Sequence, residues 1–568
     1  MVKIILLGVL SKQIMANTKY IFVVGGVMSG VGKGVTTAAV AKILQSKGYT
    51  VTAIKVDPYI NVDAGTMNPT IHGEVFVTID GDETDQDIGN YERFMNVDIP
   101  RANYMTTGRV YQTVIQRERN LGYKGDNVQV VPDIPNEIIS RIKRASRLAK
   151  ADFTIVEIGG TVGEYENLIF LEAARMMKLK APKDVLFILV SYLPIPAKVG
   201  EMKTKPTQHA SRTLNSAGIQ ADFIICRSEA ALDRKRREKI ATFCNVSPEE
   251  AISAPDVESI YDIPINFEKN DIGNKILIKF GLKPRKKDMH DWRRVVAKLK
   301  SQRAKVKIGV VGKYFFSGDY VMSDVYISVI EAIKHAGVVA SVKPELVWLD
   351  SADFEKPARF DGAKARRGAS MKILDSMNAI IVPGGFGSRG IKGVIRTIEY
   401  ARKRKIPYLG LCYGMQLATI EFARHVAGLR TADTVEINPK AKEAVIHVNE
   451  EQAKNLSENN FGNSMRLGAY PCILKEGSLA RKLYGTRRIS ERHRHRYEFN
   501  NQYRKVLAKA GLVFSGICPD NDLVEIIELP TSVHPYFIAT QFHPEFQSRP
   551  LRPHPLFVGL LKAAKKRK

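Results

Sequence analysis

The hydrophobic positions in the first half of the chain form short apolar runs separated by stretches with helical spacing. The pattern predicts strands at 20–24 and 51–56, with a helix at 35–45 between them that Gly48 ends. Apolar runs at 153–156, 185–190 and 223–225 and a helical segment at 168–179 continue the alternation. Continuous apolar runs are typical of strands buried on both faces, so we predict an α/β domain with a mostly parallel sheet.

The pattern restarts in the second half of the chain. It predicts strands at 306–312, 379–382, 407–411, 523–529 and 537–542 and a helix at 415–425. We therefore predict two doubly wound α/β domains. The boundaries that we expect are an N-terminal extension at 1–16, a first domain at 17–283, a basic linker at 284–305 and a second domain at 306–568.

Composition excludes a disordered polymer and a membrane bundle. Hydrophobic residues make up 44% and charged residues 26% of the 568 residues, which is ordinary globular usage. The apolar run at 4–10 is far shorter than the about 20 residues that cross a bilayer, and no signal cleavage site follows it. The cysteines are odd in number and lack CxxC spacing, so we expect reduced thiols and a cytoplasmic location: Cys226, Cys244, Cys412, Cys472 and Cys518.

The charge of the chain leaves two interpretations open. Lys and Arg number 86 against 59 Asp and Glu, and a formal net charge of +27 attracts polyanions. Much of the excess lies at 283–307, with eleven Lys or Arg against two Asp. A solvated linker is the simpler interpretation. The alternative is a nucleic-acid-binding or scaffold protein, whose binding should weaken steeply with salt.

A glycine-rich loop, GGVMSGVGKG from Gly25 to Gly34, joins the first predicted strand to its helix. Its backbone N–H groups and the helix N-terminus can face a polyphosphate, while Lys33 supplies a cation. The strict pattern GxxxxGK[ST] fails twice, because Val27 replaces its first glycine and Gly34 replaces the metal-binding hydroxyl residue. We predict a variant nucleotide-binding loop.

The metal ion that accompanies a nucleotide must then find its oxygen ligands elsewhere, and carboxylates are the natural supply. Glu157 follows the strand predicted at 153–156, and ligands of open α/β sheets bind at the carboxyl ends of strands. A second candidate is the acidic run at 80–87, which by itself is more often a solvated loop.

A cysteine in the second half has the setting of a nucleophile. Cys412 lies between Gly410 and Gly414, after a predicted strand and before a predicted helix, which is the spacing of a nucleophile elbow. A lone cysteine is more often a small buried hydrophobe. Here His543 and Glu545 follow a late strand and can complete a triad. Backbone N–H groups of the loop 383–387 and of Tyr413 can stabilise an oxyanion.

A phosphate loop and an acyl-transfer cysteine on one chain suggest ATP-driven amidation fed by a glutaminase. The chain resembles the CTP synthase family from about Asn17 to its C-terminus, with an amidoligase domain followed by a class I glutamine amidotransferase domain. The stretches that carry this resemblance, besides the loop at 25–34, are 55–63, 72–78, 157–163, 203–209 and 492–497.

The resemblance implies that ATP phosphorylates the 4-oxygen of UTP and that ammonia from glutamine then displaces the phosphate to give CTP. It implies Mg²⁺ and ATP as cofactors, GTP as an allosteric activator and CTP as an inhibitor. Homotetramers are implied, with filaments in some members. No membrane partner is expected, and nucleic acid is not favoured as a partner.

The resemblance also implies roles for individual residues. Asp87 and Glu157 would ligate Mg²⁺, which replaces the solvated-loop interpretation for the end of the acidic run. The ATP contacts would be Ser29, Gly30, Val31, Gly32, Lys33, Gly34, Lys55 and Asp87. The UTP and CTP contacts would be Ser29, Glu164, Tyr165, Glu166, Lys203, Thr204, Lys205, Gln208 and Lys239.

In the second domain, the resemblance makes Cys412, His543 and Glu545 the catalytic triad. The glutamine contacts would be Gly385, Phe386, Tyr413, Gln416, Glu436 and Arg496. Coupling to GTP would involve Arg119, Tyr123, Gly125 and Arg389. The second enzyme hypothesis is a different amidoligase with a fused glutaminase, acting on a carboxylate, and the segment 203–208 argues against it.

Overall fold

The chain forms two units, which are described separately from a computed structural model. The structure describes residues 18–67, 72–313, 316–317, 320–321, 323–355, 359–361, 364–366, 371–448 and 465–567. The predicted N-terminal extension at 1–16 lies outside the described residues. Of these described residues, unit 1 contains those up to Ala64 and those from Asp87 to Val296, and unit 2 contains those from Gly65 to Gln86 and from Ala297 onward.

Unit 1 contains a seven-stranded sheet in which all neighbouring strands are parallel. Across the sheet, the strands are Tyr104–Thr106, Val51–Asp57, Phe153–Ile158, Lys19–Gly25, Val185–Tyr192, Phe223–Ser228 and Ala251–Pro255. Because helices cover both faces, the central strands are buried along nearly their whole length and are read in the sequence as continuous apolar runs.

The helices of unit 1 follow the alternation that the sequence predicts. Its α-helices are Lys33–Ser46, Asp87–Met95, Thr107–Arg119, Val130–Leu148, Leu168–Lys180, Lys205–Ser216, Arg234–Cys244, Ile263–Lys269 and Ile272–Lys279, and His290–Ser301 begins in it. Short 3₁₀ turns lie at Arg101–Asn103, Pro248–Glu250 and Ile260–Asp262.

Part of the basic stretch is anchored to unit 1. The Trp292 indole is 1% exposed, packs against Phe94 and Tyr261, and donates a 2.9 Å hydrogen bond to the Tyr261 carbonyl. Arg285 stacks on Tyr49 and pairs with Asp152 at 2.9 Å. Trp292 and Arg285 therefore hold part of the basic stretch against unit 1.

Unit 2 contains a mixed nine-stranded sheet. Five parallel strands come first, Lys343–Asp350, Lys305–Gly312, Ala379–Val382, Tyr408–Leu411 and Phe537–Thr540, and four antiparallel strands continue the sheet, Val524–Glu528, Val513–Ile517, Arg466–Leu474 and Arg488–His495. Ile380 and Ile381 belong to separate apolar clusters, as expected where successive residues of a strand face opposite sides of the sheet.

Smaller elements complete unit 2. Its other strands are Val75–Val77, Glu83–Asp85, Phe316–Ser317, Tyr320–Val321, Arg359–Asp361, Lys364–Arg366, Ala432–Thr434, Glu443–Val448 and Tyr497–Phe499. Its α-helices are Ile327–Ala340, Ile391–Lys403, Tyr413–His425, Leu479–Tyr484, Arg504–Lys509 and Pro555–Lys566. Its 3₁₀ turns are Ser323–Tyr326, Ser351–Phe354, Met371–Ser376, Asn501–Tyr503 and Pro544–Gln547. The prediction of two doubly wound α/β units is confirmed.

The stretch 65–86 packs within unit 2, although its sequence position lies inside the predicted domain at 17–283. Its strands Val75–Val77 and Glu83–Asp85 form an antiparallel hairpin. The Arg492 guanidinium donates a 3.0 Å hydrogen bond to the Val77 carbonyl, and the Phe76 ring meets the Phe546 ring edge-on at 5.0 Å. This hairpin is therefore part of the second core.

Two further observations bear on the class of protein. In the part of the chain that the structure describes, no helix has the length and apolar character needed to span a membrane. All five cysteines carry free thiols and are buried.

Candidate functional site

The phosphate loop of unit 1 connects the strand Lys19–Gly25 to the helix Lys33–Ser46. Val27, Gly30 and Gly32 have φ angles of 80°, 72° and 93°. A left-handed φ suits glycine and strains a β-branched residue by about 1–3 kcal/mol. The strict pattern has its first glycine at this position, so Val27 retains the backbone conformation of the pattern while departing from its sequence. Ser29 and Gly30 are exposed in the loop.

Two lysines converge beneath this loop. Lys33 Nζ donates a 2.7 Å hydrogen bond to the Gly160 carbonyl. Burial lowers the pKa of Lys33, and the negative charge of Glu157 offsets part of this effect. Lys55 Nζ lies 2.5 Å from Asp87, 3.1 Å from Glu157 and 3.5 Å from Asp57. The predicted residues Lys33, Lys55, Asp87 and Glu157 therefore come together in unit 1.

The carboxylate of Asp87 occupies the space next to Gly34. A Cβ at position 34 would come within 1.8 Å of Asp87 Oδ1. The hydroxyl side chain that the strict pattern places here is thus absent because a carboxylate from the helix Asp87–Met95 takes its place.

The oxygen atoms around Lys55 suit a divalent cation. Burial and the neighbouring charge of Asp87 raise the pKa of Glu157 to about 7, and the Tyr91 hydroxyl donates to Glu157. Asp57 Oδ2 is buried and has no hydrogen-bond partner among the described residues. Carboxylate oxygens are the ligands that Mg²⁺ prefers, so these residues fit the metal that the sequence analysis expects.

A cavity of about 370 Å³ adjoins Gly32 in unit 1. It is lined by Thr36 and Phe267 and by the ion pair of Arg227 with Asp256. The sequence analysis did not name these residues. Arg227 lies within the strand Phe223–Ser228 and Asp256 directly follows Ala251–Pro255, so the rule that ligands bind at the carboxyl ends of strands could have identified both.

Apart from Ser29 in the phosphate loop, the predicted pyrimidine nucleotide contacts lie on three segments of unit 1. Glu164 accepts a 2.5 Å hydrogen bond from Thr161, and Tyr165, 90% exposed, and Glu166 follow it. Gln208 donates to the Thr204 hydroxyl at 3.1 Å. The remaining lysines are placed as follows: Lys203 pairs with Glu201 at 2.9 Å, Lys205 begins the helix Lys205–Ser216, and Lys239 is exposed on Arg234–Cys244.

The residues predicted to couple to GTP lie on separate units. Arg119 ends the helix Thr107–Arg119, and Tyr123 accepts a 3.3 Å hydrogen bond from Arg117. Gly125 has a φ of 88°. In unit 2, Arg389 lies 3.6 Å from Asp350.

The nucleophile elbow in unit 2 has the predicted geometry. Cys412 follows the strand Tyr408–Leu411 with φ 51° and ψ −98°, and the helix Tyr413–His425 begins at the next residue. A Cβ on Gly414 would lie 2.3 Å from the Val382 carbonyl, so the elbow requires glycine there. The strained residue is thus Cys412, the predicted nucleophile, as expected for this turn.

His543 pairs with Glu545 and lines one cavity together with Cys412. His543 Nδ1 lies 2.7 Å from Glu545 Oε1, and its Nε2 is buried and has no hydrogen-bond partner among the described residues. Burial by itself would lower the pKa of His543, but the charges of Glu545 and Cys412 and the hydrogen bond with Glu545 raise it to about 10. The Phe546 ring stacks on the imidazole at 5.1 Å, and a Cβ on Gly384 would come within 2.8 Å of it.

Five of the six predicted glutamine contacts line one cavity of about 630 Å³ together with Cys412. They are Gly385, Phe386, Gln416, Glu436 and Arg496. The sixth, Tyr413, donates a 2.9 Å hydrogen bond to the Gly387 carbonyl beside the cavity. Arg389, predicted for GTP coupling, lines the same cavity.

Opposite charges line this cavity. Burial raises the pKa of Glu436, whose carboxylate accepts a 2.8 Å hydrogen bond from the Gly387 amide, and Arg496 is a second lining residue. A carboxylate and a guanidinium match the amino and carboxylate groups of an amino acid. Since the Gly387 amide is engaged by Glu436, the remaining predicted oxyanion donors are the earlier amides of the 383–387 loop and that of Tyr413.

Lys313 supports this loop, and the sequence analysis did not name it. Lys313 Nζ donates to the Gly387 carbonyl at 2.6 Å and lies 4.4 Å from the centre of the Tyr413 ring. Burial lowers the pKa of Lys313 to about 8. Its position at the end of the strand Lys305–Gly312 is the signal that could have identified it.

Comparisons with known proteins agree with this geometry. The family described as the CTP synthase N-terminus matches residues 19–282, and class-I glutamine amidotransferase matches residues 321–563. The CTP synthase of Caldanaerobacter subterraneus subsp. tengcongensis is 48% identical over 546 residues, covering 96% of this chain and 98% of its own. That of Chloroflexus aurantiacus is 48% identical over 550 residues, covering 96% of each chain.

A solved Trypanosoma brucei CTPS glutaminase domain with bound acivicin is 35% identical, with a TM-score of 0.40, and covers 46% of this chain and 94% of its own. Two family matches in sequence order, together with relatives that are nearly half identical along almost the whole chain, leave no ambiguity. The chain belongs to the CTP synthase family.

Proposed function

We propose that this protein converts UTP to CTP, with ATP as phosphoryl donor and glutamine as the source of ammonia. The observation that carries the proposal is that Cys412, His543 and Glu545 line one cavity, with His543 Nδ1 2.7 Å from Glu545 Oε1, while Cys412 also lines the cavity of Glu436 and Arg496. Membership of the family supplies the reaction class, and the phosphate loop of unit 1 supplies the expected site of ATP.

Glutamine hydrolysis would proceed on unit 2. Cys412 attacks the amide carbon, His543 gives a proton to the departing ammonia, and a thioester remains on sulfur. Water then attacks the thioester while His543 accepts its proton, and glutamate and the thiolate are released. Glu545 holds the imidazole in one orientation and stabilises its charged form.

CTP formation would proceed on unit 1. The γ-phosphoryl group passes from ATP to the 4-oxygen of UTP, ammonia adds to carbon 4, and phosphate leaves. Lys33 and Lys55 would neutralise charge on the transferring phosphoryl group. Asp87 and Glu157 would hold Mg²⁺, and the bound ion would supply positive charge that neutralises phosphate oxygens. The cavity beside Gly32 would take the base of ATP, with Arg227 and Asp256 at its edge.

We extend the proposal to regulation and assembly. GTP would activate glutamine hydrolysis through Arg119, Tyr123, Gly125 and Arg389, and CTP would compete with UTP through Glu164, Tyr165 and Glu166. A homotetramer and a cytoplasmic location are proposed on the family resemblance. The buried Trp292 and the pairing of Arg285 with Asp152 give part of the basic stretch a folding role, which weakens its use as an argument for nucleic-acid binding.

The deciding experiment follows UTP conversion to CTP by absorbance, with ATP, Mg²⁺ and either glutamine or ammonium chloride. Cys412→Ala should abolish the glutamine-dependent reaction and leave the ammonia-dependent one intact. Cys518→Ala, which removes another buried thiol of unit 2, should leave both reactions intact. Loss of both reactions in Cys412→Ala would contradict two separable sites. Parallel assays with GTP or CTP added test regulation.

A further inference from the structure

A buried amide outside the triad contacts the nucleophilic sulfur. Gln541 lies between the strand Phe537–Thr540 and His543, and its side chain is fully buried. Its Nε2 lies 3.8 Å from Cys412 Sγ, within hydrogen-bond distance for sulfur. Its backbone amide donates to the Glu525 carbonyl at 2.8 Å, which fixes the start of the side chain.

The orientation of this amide follows from its neighbours. Gln416 Nε2 lies 3.0 Å from the Tyr497 carbonyl, and a carbonyl can only accept, so the amino group of Gln416 must point there. The same amino group lies 3.4 Å from Gln541 Oε1. The oxygen of Gln541 therefore faces Gln416, and its N–H group faces the sulfur.

The other polar contact of the sulfur has the opposite character. The Arg494 carbonyl lies 3.8 Å from Cys412 Sγ; it can accept a hydrogen bond from the thiol but has no donor to offer a thiolate. His543 lines the same cavity as Cys412, and its Nε2 has no hydrogen-bond partner among the described residues. Gln541 thus adds a neutral donor on a sulfur that otherwise faces a carbonyl oxygen.

Building on the proposed glutaminase reaction, we infer that Gln541 is a further catalytic residue of the Cys412 centre. Its N–H group donates to the thiolate before the attack on glutamine. It donates again when water has attacked the thioester and the carbon–sulfur bond breaks with the electron pair returning to sulfur. No proton leaves Gln541 in either step.

A structural role would make a different prediction from a donor role. Glutamate at this position keeps an oxygen that accepts from Gln416 but has no N–H group for the sulfur, and it adds a negative charge beside the thiolate. Methionine has a similar length and neither property. If Gln541 only satisfied Gln416, Gln541→Glu would be the milder change; if it stabilises the thiolate, Gln541→Glu is the more severe.

The test measures the rate at which iodoacetamide alkylates Cys412 at neutral pH in the full-length protein, followed by mass spectrometry of the Cys412 peptide. This readout does not depend on which substrate the enzyme uses, so it can fail or succeed independently of the proposed function. We expect alkylation to slow about tenfold in Gln541→Met, since a hydrogen bond to a charged group is lost, and further in Gln541→Glu.

The matched control is Gln547→Met. Gln547 donates to the Ser490 carbonyl and to Glu491, both at 2.8 Å, and this variant should be alkylated at the wild-type rate. Glutamine turnover should fall in parallel with alkylation, with KM within about twofold, while ammonia-dependent turnover is unchanged in a folded variant. Alkylation at the wild-type rate in Gln541→Met, or faster alkylation in Gln541→Glu than in Gln541→Met, would overturn the inference. If one Gln541 variant fails to fold, the alkylation rate of the other is compared with that of Gln547→Met: a slower rate supports the inference and an equal rate overturns it.

Discussion

Asp87 Oδ1 lies where the side chain of residue 34 would begin, since a Cβ on Gly34 would come within 1.8 Å of it. In the strict phosphate loop, this position carries a hydroxyl that ligates the metal. Here a carboxylate from a neighbouring helix enters the same space, and the glycine is what allows it to enter. The glycine at position 34 and the carboxylate of Asp87 therefore depend on each other, because the carboxylate fits only where residue 34 has no side chain.

Restoring the hydroxyl should therefore damage the site. We expect Gly34→Ser to displace Asp87 from Lys55 and to lower ammonia-dependent CTP formation at least about a hundredfold, the scale of losing an electrostatic group in a site. Glutamine hydrolysis, measured as glutamate release, should persist. Gly281→Ala is the control, because Gly281 has a φ of 68° and open space around it, so it tests backbone strain without a clash. Normal CTP formation in Gly34→Ser would refute this reading of the loop.

Lys55 neutralises three carboxylates, Asp57, Asp87 and Glu157. Lys55→Met should destabilise unit 1 by about 3–5 kcal/mol, because buried carboxylates lose their cation. Chemical unfolding followed by tryptophan fluorescence measures the loss, with Lys305→Met as control, since its pair with Glu345 is solvent-exposed. Added Mg²⁺ should restore more stability to Lys55→Met than to the wild type, and equal effects of Mg²⁺ would count against a cation site.

An ion pair connects the hairpin of unit 2 to a residue that contacts Cys412. Glu83 Oε1 lies 2.7 Å from Arg494 Nε, and the Arg494 carbonyl contacts Cys412 Sγ. Glu83→Gln should lower the kcat of glutamine hydrolysis about tenfold, because the Arg494 backbone loses a charge-assisted restraint. Ammonia-dependent synthesis should be unaffected. Glu399→Gln, which breaks the helical pair with Lys403, is the matched control and should change neither rate. An equal kcat in Glu83→Gln and Glu399→Gln would show that the ion pair of Glu83 with Arg494 does not affect glutamine hydrolysis.

A buried charge cluster predicts a pH dependence of stability. Arg466 lies 2.8 Å from Glu525 and 3.7 Å from Glu498, with His493 3.6 Å from Glu525. Burial, opposed by Arg466, raises the pKa of Glu525 to about 7. A carboxyl with a raised folded-state pKa favours folding at low pH, and this contribution is lost as pH rises through about 7.

Glu525→Gln should therefore gain stability relative to the wild type between about pH 5 and about pH 8, by up to about 3 kcal/mol at 1.36 kcal/mol per pKa unit. Urea unfolding at several pH values measures the difference. Glu476→Gln, at a side chain that is 87% exposed, should show no such trend. A pH-independent difference for Glu525→Gln would mean that Glu525 does not titrate in this range.

The sequence predicts those features that depend on neighbouring residues. The apolar runs of the parallel sheets, the phosphate loop and the cysteine elbow are each local patterns, and the corresponding strands and turns are present in the structure. The 3.6-residue periodicity also predicts the helix Tyr413–His425 to within two residues of its start. These predictions succeed because burial and turn geometry act within a few residues.

Features that depend on distant residues are not predicted. Glu83 and Arg494 are 411 positions apart, and the strands Val75–Val77 and Glu83–Asp85 are three residues long each, too short for a periodic signal. Gln541 stands two residues before His543, yet its contact with Cys412 depends on two strands being adjacent in the sheet. Such contacts are consequences of tertiary structure.

The chain passes from one unit to the other three times, after Ala64, after Gln86 and after Val296. A piece made by cutting once at Val296 would thus lack the hairpin against which Arg492, Arg494 and Phe546 pack. The unit that contains Cys412 is therefore not encoded by one continuous stretch of the gene. An excision, fusion or recombination that used only the part after Val296 would leave the hairpin behind.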